Sequence, residues 1–320
     1  MGEIETTRMI TVEGGDGTFK TDTGKMAIQV LEGLGVEVVD YERIPGEPIP
    51  DFPKDRPILM YLREPGGSVP GKDTRRILLE SDYSAKLFPP AYVMGYFFDR
   101  GISIGMLAEF MEQYPNAIVF QDRCHWTTLT MQLYDAMRKG EVDLDVTRSG
   151  LGMIDTGFWI LVKQQLGVDS PYPGHVLTFD ASERELVVRN GMGKSTVKNW
   201  RDKDAIEGKR FIREEYLRLI QLHPRSSKAI NTHVPPEQLL TNVTQSIISV
   251  LPSQILAQLD LTDIKSVIDL VLARNSMEDK WTLYQDERQI QSLRGIESTL
   301  PEVYDTWARF GISPSGYVDP

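Results

Sequence analysis

The apolar positions of this chain fall into short unbroken runs, separated by longer stretches in which they recur every three or four residues. Arg8–Val12, Val36–Tyr41, Ile58–Leu62, Ala117–Phe120, Val176–Phe179 and Ala229–Thr232 read as strands, several of them apolar on both faces. Between them, Met26, Ile28, Val30, Leu31 and Leu34 keep helical spacing over residues 20–34, and Gly35 supplies a stop. Further helices are predicted within or beyond Arg75–Glu80, over 91–113, over 127–138, over Ile206–Gln221 and over Pro236–Leu251. Residues 42–56 carry four prolines and many charges, which predicts a surface excursion. Strands alternating with helices imply an α/β domain with a parallel sheet. From residue 257 only helical patterns occur, with Trp281 and Trp307, so 257–320 is expected to be a helical C-terminal extension. There is no internal repeat and no low-complexity segment.

Composition narrows the chemistry. Of 320 residues, 41% are apolar and 25% charged, the balance of an ordinary globular chain. The net charge of −11 argues against a broad electrostatic hold on nucleic acid, while leaving room for a local basic cleft. Cys124 is the single cysteine, so no internal disulfide can form, and a reducing compartment is expected. No apolar run approaches the ~18 residues that span a bilayer, and the first residues lack a secretory apolar core. The expectation is therefore a cytoplasmic protein with no membrane partner. Gly2 and Thr6 fit a loose myristoylation pattern, but acidic Glu3 and Glu5 give it no support. Asn242-Val243-Thr244 fits a glycosylation acceptor only in a secreted chain.

The first chemical motif is Glu13-Gly14-Gly15-Asp16-Gly17-Thr18-Phe19-Lys20-Thr21, between a strand and a helix. A phosphate-cradling loop needs backbone N–H groups turned inward, a lysine for the terminal phosphates and a hydroxyl for magnesium. Gly14, Lys20 and Thr21 fill those places, and Phe19 stands where a glycine is usual. The alternative frame at Gly24-Lys25 is followed by Met26, which offers no hydroxyl. Gly191–Thr196 imitates the end of such a loop, but the required earlier glycine is Val188; the basic stretch around it reads as a lid over about 184–205. Cys124 and His125 have no partners at metal-ligand spacing, and Asp143–Ile154 lacks the glycine and terminal carboxylate of a calcium loop.

Several motifs in order resemble the thymidylate kinase family. These are the acidic loop opening Glu13–Gly17 and the run Arg63-Glu64-Pro65-Gly66-Gly67 with Gly71 and Arg75. Further along come Tyr96 with Asp99-Arg100, and Asp122-Arg123 followed by Thr127, Thr128 and Gln132. Asp180, Asp204, Glu207, Arg213 and Tyr216 match the lid and its following helix. The resemblance covers about residues 1–256, with an insertion over about 42–60. It implies a P-loop three-layer sandwich and ATP-dependent, Mg²⁺-assisted phosphoryl transfer to a pyrimidine deoxynucleoside monophosphate. Implied at the ATP site are Gly14, Gly17, Lys20 and Thr21, with Arg184 and Arg189 from the lid; at the metal stands Thr21, with Asp122 as a metal-side or acceptor-site carboxylate. Asp16 would accept from the sugar 3′-hydroxyl, and Arg63 and Arg123 would hold the acceptor phosphate. Tyr96 would stack on the base, with Arg100, Thr127, Thr128 and Gln132 around its edge.

The chain departs from the family at Phe19, at Cys124 in place of a tyrosine or histidine, and at Met131 in place of an aromatic residue. Two alternatives follow. One is a related kinase acting on a hydroxyl of a modified pyrimidine, within DNA in the only version that takes a nucleic-acid partner. The other is a non-catalytic nucleotide-binding protein. A small nucleotide is the partner under the main reading, and a homodimer is the assembly the resemblance implies.

Overall fold

The computed structural model describes residues 7–43, 49, 51–80, 89–139, 143–166, 174–182, 185–186, 189, 206–275 and 300–318. Six parallel strands form one open sheet, in the order β2-β3-β4-β1-β5-β6. They are β1 (Met9–Glu13), β2 (Glu37–Asp40), β3 (Ile58–Arg63), β4 (Ala117–Asp122), β5 (His175–Asp180) and β6 (Ser227–Asn231). Successive side chains of a strand face opposite ways. Ile10, Val12, Leu59, Tyr61, Ile118 and Phe120 therefore enter one core, and Met9, Ile58, Met60, Leu62, Ala117 and Val119 the other. Burial on both faces explains why these strands read as unbroken apolar runs. The fold is α/β, and the helices on both faces of the sheet make the three-layer sandwich expected of a P-loop protein.

On the first face lie α1 (Lys20–Gly33) and, from further along the chain, the helices Pro236–Val250 and Ile264–Asn275. A Cβ at Gly33 would stand 2.6 Å from Val267, so the glycine lets the Ile264–Asn275 helix sit directly on α1. The second face carries α2 (Val69–Arg75, running into a wider π turn at Arg76–Glu80), α3 (Pro89–Gln113), α4 (His125–Lys139), α5 (Leu144–Leu166) and α6 (Ile206–Leu222). In chain order the remaining helices are α7 (Pro236–Val250), α8 (Ser253–Leu256), α9 (Ile264–Asn275) and α10 (Leu300–Arg309). Val303 and Trp307 of α10 are buried in the second core with Tyr216, Leu217 and Ile220. The described residues beyond 257 thus contribute to both cores.

β2 lies at the sheet edge beside β3, with Val38 opposite Leu59. The helix α5 is an addition to the elements predicted from sequence. Part of the insertion (44–48 and 50) and most of the expected lid (184, 187–188 and 190–205) lie outside the described residues, as does Trp281. Among the described residues no helix is long and apolar enough to cross a membrane.

Candidate active site

The chemistry gathers at the carboxyl ends of β1, β3, β4 and β5, the usual place for a ligand in an open parallel sheet. The β1–α1 loop turns there. Gly14 has φ 134°, and a Cβ on it would meet the Phe179 carbonyl oxygen at 2.4 Å, so no other residue fits. Gly17 (φ 89°) and Phe19 (φ 61°) also have left-handed backbones. Thr18 donates its hydroxyl to Gly15 O at 2.9 Å. The Lys20 amine turns back into the loop, donating to Gly15 O at 3.3 Å and standing 3.8 Å from Asp16. Burial pushes its pKa down to about 8, with help from the Arg123 charge and against Asp16, Asp122 and Glu13.

Thr21, at the start of α1, donates its hydroxyl to Asp122 Oδ2 at 2.7 Å. The two are 101 residues apart in sequence and meet because β1 pairs with β4 at Val12 and Asp122. Asp122 Oδ1 is buried with no hydrogen-bond partner. A hydroxyl beside a buried carboxylate oxygen with an unused lone pair suits a small hard cation that takes its other ligands from phosphate and water. The predicted metal pair is therefore brought together, although no group of three or more ligating side chains occurs among the described residues.

Arg63 and Arg123 flank this pair. Arg63 Nε stands 3.6 Å from Asp122 Oδ2 and makes no hydrogen bond there, and the side chain is partly exposed. Arg123 adopts φ 78°, an uncommon backbone of the kind that clusters at functional sites. It donates to Asp16 Oδ1 at 2.6 Å and to Thr127 Oγ1 at 3.3 Å. Desolvation would raise the Asp16 pKa, but the Arg123 and Lys20 charges overcome it and hold the carboxyl well below its usual range.

Comparison with family models and with curated proteins finds no match to this chain. What it does must be argued from the geometry.

A cleft beside Arg123 is lined by Glu64, Pro65, Tyr96, Asp99, Arg100, Cys124, Thr127 and Thr128. Five of the residues expected around an acceptor nucleotide, Tyr96, Arg100, Arg123, Thr127 and Thr128, thus share one wall. The cleft is shallow and partly open to solvent. Arg100 is fully buried and donates to Glu64 Oε2 at 3.0 Å and to Thr128 Oγ1 at 3.1 Å. Burial pushes Glu64 up to about 7, Asp99 adding to the shift and Arg100 opposing it. Gly71 has a steric reason: a Cβ there would stand 2.0 Å from Asp99 Oδ1. Gln132 is buried one turn beyond Thr128 on α4, its amide nitrogen without a partner, and it is not part of this cleft wall.

Arg189 is buried, and its guanidinium is already engaged. It donates to Gly17 O, Thr232 Oγ1, Thr232 O and Glu185 Oε1, and lies over the Phe19 ring. It is a fixed cation against the loop rather than a swinging one. Arg184 lies outside the described residues.

One part of the site escaped sequence reasoning. Glu13 is wholly buried and accepts from Cys124 N, Thr127 N, Thr127 Oγ1 and the Tyr216 hydroxyl, which ties β1 to α4 and α6. Its place in the acidic loop opening was the one signal. A cavity of about 20 Å³ is lined by Gly15, Asp16, Met131, Asp180, Lys209 and Arg213, and the sequence had singled out all of these but Lys209.

Proposed function

We propose that the protein is an ATP-dependent kinase of the thymidylate kinase type. It transfers the γ-phosphoryl group to a pyrimidine deoxynucleoside monophosphate, dTMP or a modified analogue, giving the diphosphate. The observation that carries this reading is the Thr21–Asp122 contact, with the unused Asp122 Oδ1 beside it. It lies in a glycine loop that also holds a buried lysine, next to three arginines on the acceptor side.

In such a reaction the bond from the γ-phosphorus to its bridging oxygen breaks, and an oxygen of the acceptor phosphate forms the new one. Both partners are anions, so the protein's task is positioning and charge neutralisation. Lys20, released from Gly15 O, meets the ATP phosphates together with the backbone N–H groups of Gly14–Gly17. Thr21 and Asp122 would hold Mg²⁺, which would neutralise charge on the phosphates. Arg63 and Arg123 take the acceptor phosphate bidentately. The Arg100–Glu64–Thr128 set sits at the base edge, and Tyr96 supplies an apolar face. The single cysteine accords with a cytoplasmic setting.

The second reading, transfer to a hydroxyl on a modified pyrimidine in DNA, draws on Met131, which lines the cavity behind Asp16 where the family has an aromatic ring. Purified protein with ATP, Mg²⁺ and a panel of deoxynucleotides and hydroxymethylated DNA separates the readings. ADP formation that depends on dTMP or its analogues supports the first. Label appearing only in DNA overturns it in favour of the second.

A further inference from the structure

We propose that the C-terminal segment 300–318 is a brace for the phosphate-binding loop, with Trp307 as its positioning residue. The proposal rests on reading Glu13–Thr21 as that loop.

The connection begins at Asp180, the last residue of β5. Its carboxylate is nearly fully buried and accepts two hydrogen bonds from Arg213, at 2.8 and 2.9 Å. Oδ2 accepts a third from Trp307 Nε1 at 2.7 Å. Arg213 also donates to Thr306 Oγ1 at 3.3 Å, so adjacent residues of α10 hold both members of the ion pair. A buried carboxylate held by three donors has little freedom to turn, and losing the indole N–H leaves Oδ2 with the arginine alone.

From Asp180 two routes reach the loop. The first is steric: the Phe179 carbonyl presses on Gly14, closely enough to exclude a Cβ. The second is a hydrogen-bond chain. Asp180 O accepts from Thr232 N at 2.9 Å and Thr232 Oγ1 at 3.0 Å. Thr232 in turn accepts from Arg189 through both its hydroxyl and its carbonyl. Arg189 then donates to Gly17 O and covers Phe19. Trp307 is thus joined to three residues of the loop, Gly14, Gly17 and Phe19, through contacts that begin at one carboxylate.

The segment is anchored at its other end as well. Beyond α10 the chain turns through a bridge between Ile312 and Val318, and Gly316 O accepts from Ala229 N of β6 at 2.8 Å. A Cβ at Gly316 would stand 2.0 Å from Ala229 O, so this close approach needs glycine. The main-chain bond fixes α10 against the sheet independently of the Trp307–Asp180 contact.

The test is Trp307→Phe in the full chain, which keeps a buried aromatic ring and removes the N–H. Two readouts are used: amide hydrogen exchange by peptide, and equilibrium binding of a fluorescent ATP analogue with Mg²⁺. Exchange over 13–21 and 176–182 is expected to rise about tenfold, while β3 and β4 stay at the wild-type rate. The ATP-analogue Kd is expected to rise about threefold or more. Should this variant not fold, Thr306→Val probes the same pair through Arg213. Wild-type exchange and Kd in the variant would overturn the brace, and so would a uniform rise across all strands, which marks lost packing alone. If the wild-type protein bound no nucleotide, the kinase reading would fall, and the exchange pattern would still decide for or against the brace.

Discussion

The guanidinium of Arg189 stands 4.5 Å above the ring centroid of Phe19. This contact accounts for an aromatic residue at a left-handed position where glycine is usual. The backbone costs about 1–2 kcal/mol for a side chain with a Cβ. A desolvated cation over an aromatic face returns about that amount. Phe19→Gly should therefore leave stability within about 1 kcal/mol of wild type, since it relieves strain and loses the stack together. Phe19→Ala keeps the strain and loses the stack, so it should be destabilised by about 1–3 kcal/mol. Urea unfolding of the two variants checks the order, and an alanine variant at least as stable as the glycine one contradicts it.

Thr21 and Asp122 give a second prediction. Thr21→Val keeps the shape and removes the hydroxyl, so kcat should fall about a hundredfold or more with Mg²⁺. Thr21→Ser should recover most of it. Steady-state kinetics on both variants decides, and equal activity in the valine variant would remove Thr21 from the metal site.

Lys20 predicts a pH dependence. Burial pushes its amine down to about 8, so the ammonium proposed to attract phosphate is lost as pH rises through that value. Affinity for Mg-ATP should fall above about pH 8, and Lys20→Met should abolish that dependence along with most of the affinity. The stability effect has the opposite sense. Between about 8 and the ordinary 10.5 the unfolded chain binds more protons at this residue than the folded one. The group therefore favours folding increasingly as pH rises across that window. Calorimetric titration from pH 6.5 to 9.5 reads the binding side.

Glu64 behaves in the reverse way. Its folded pKa of about 7 lies above the ordinary 4.5, so the folded protein binds more protons there between those values. Its contribution to stability is complete below 4.5 and is lost as pH rises through 7. Glu64→Gln mimics the protonated form. Relative to wild type it should gain about 1–3 kcal/mol between pH 5 and pH 8 in urea unfolding. A constant difference across that range would show that Arg100 keeps Glu64 ionised throughout.

The core strands were legible because burial on both faces makes apolar runs, and the loop was legible because glycine, lysine and threonine must stand in order. The α5 helix was not. Its Val146, Met153, Ile154, Ile160 and Leu161 are exposed, so its apolar residues do not trace a core-facing stripe. Gly150, Gly152 and Gly157 weaken its helical signal further. Arg189 sits in a charged stretch that reads as a solvated face, and only the fold shows it buried against Thr232 and Phe19. Trp307 and Asp180 are 127 residues apart, and no spacing rule connects an indole in a helical tail with a carboxylate at a strand end.

The β1–α1 loop is proposed to present ATP to an acceptor anion. The most direct measurement of this is transfer of γ-phosphoryl label to dTMP by wild-type protein and by Lys20→Ala, with circular dichroism to verify the fold. The account predicts labelled dTDP from the wild type and a loss of about a thousandfold or more in the folded variant. Undiminished transfer by Lys20→Ala would contradict it.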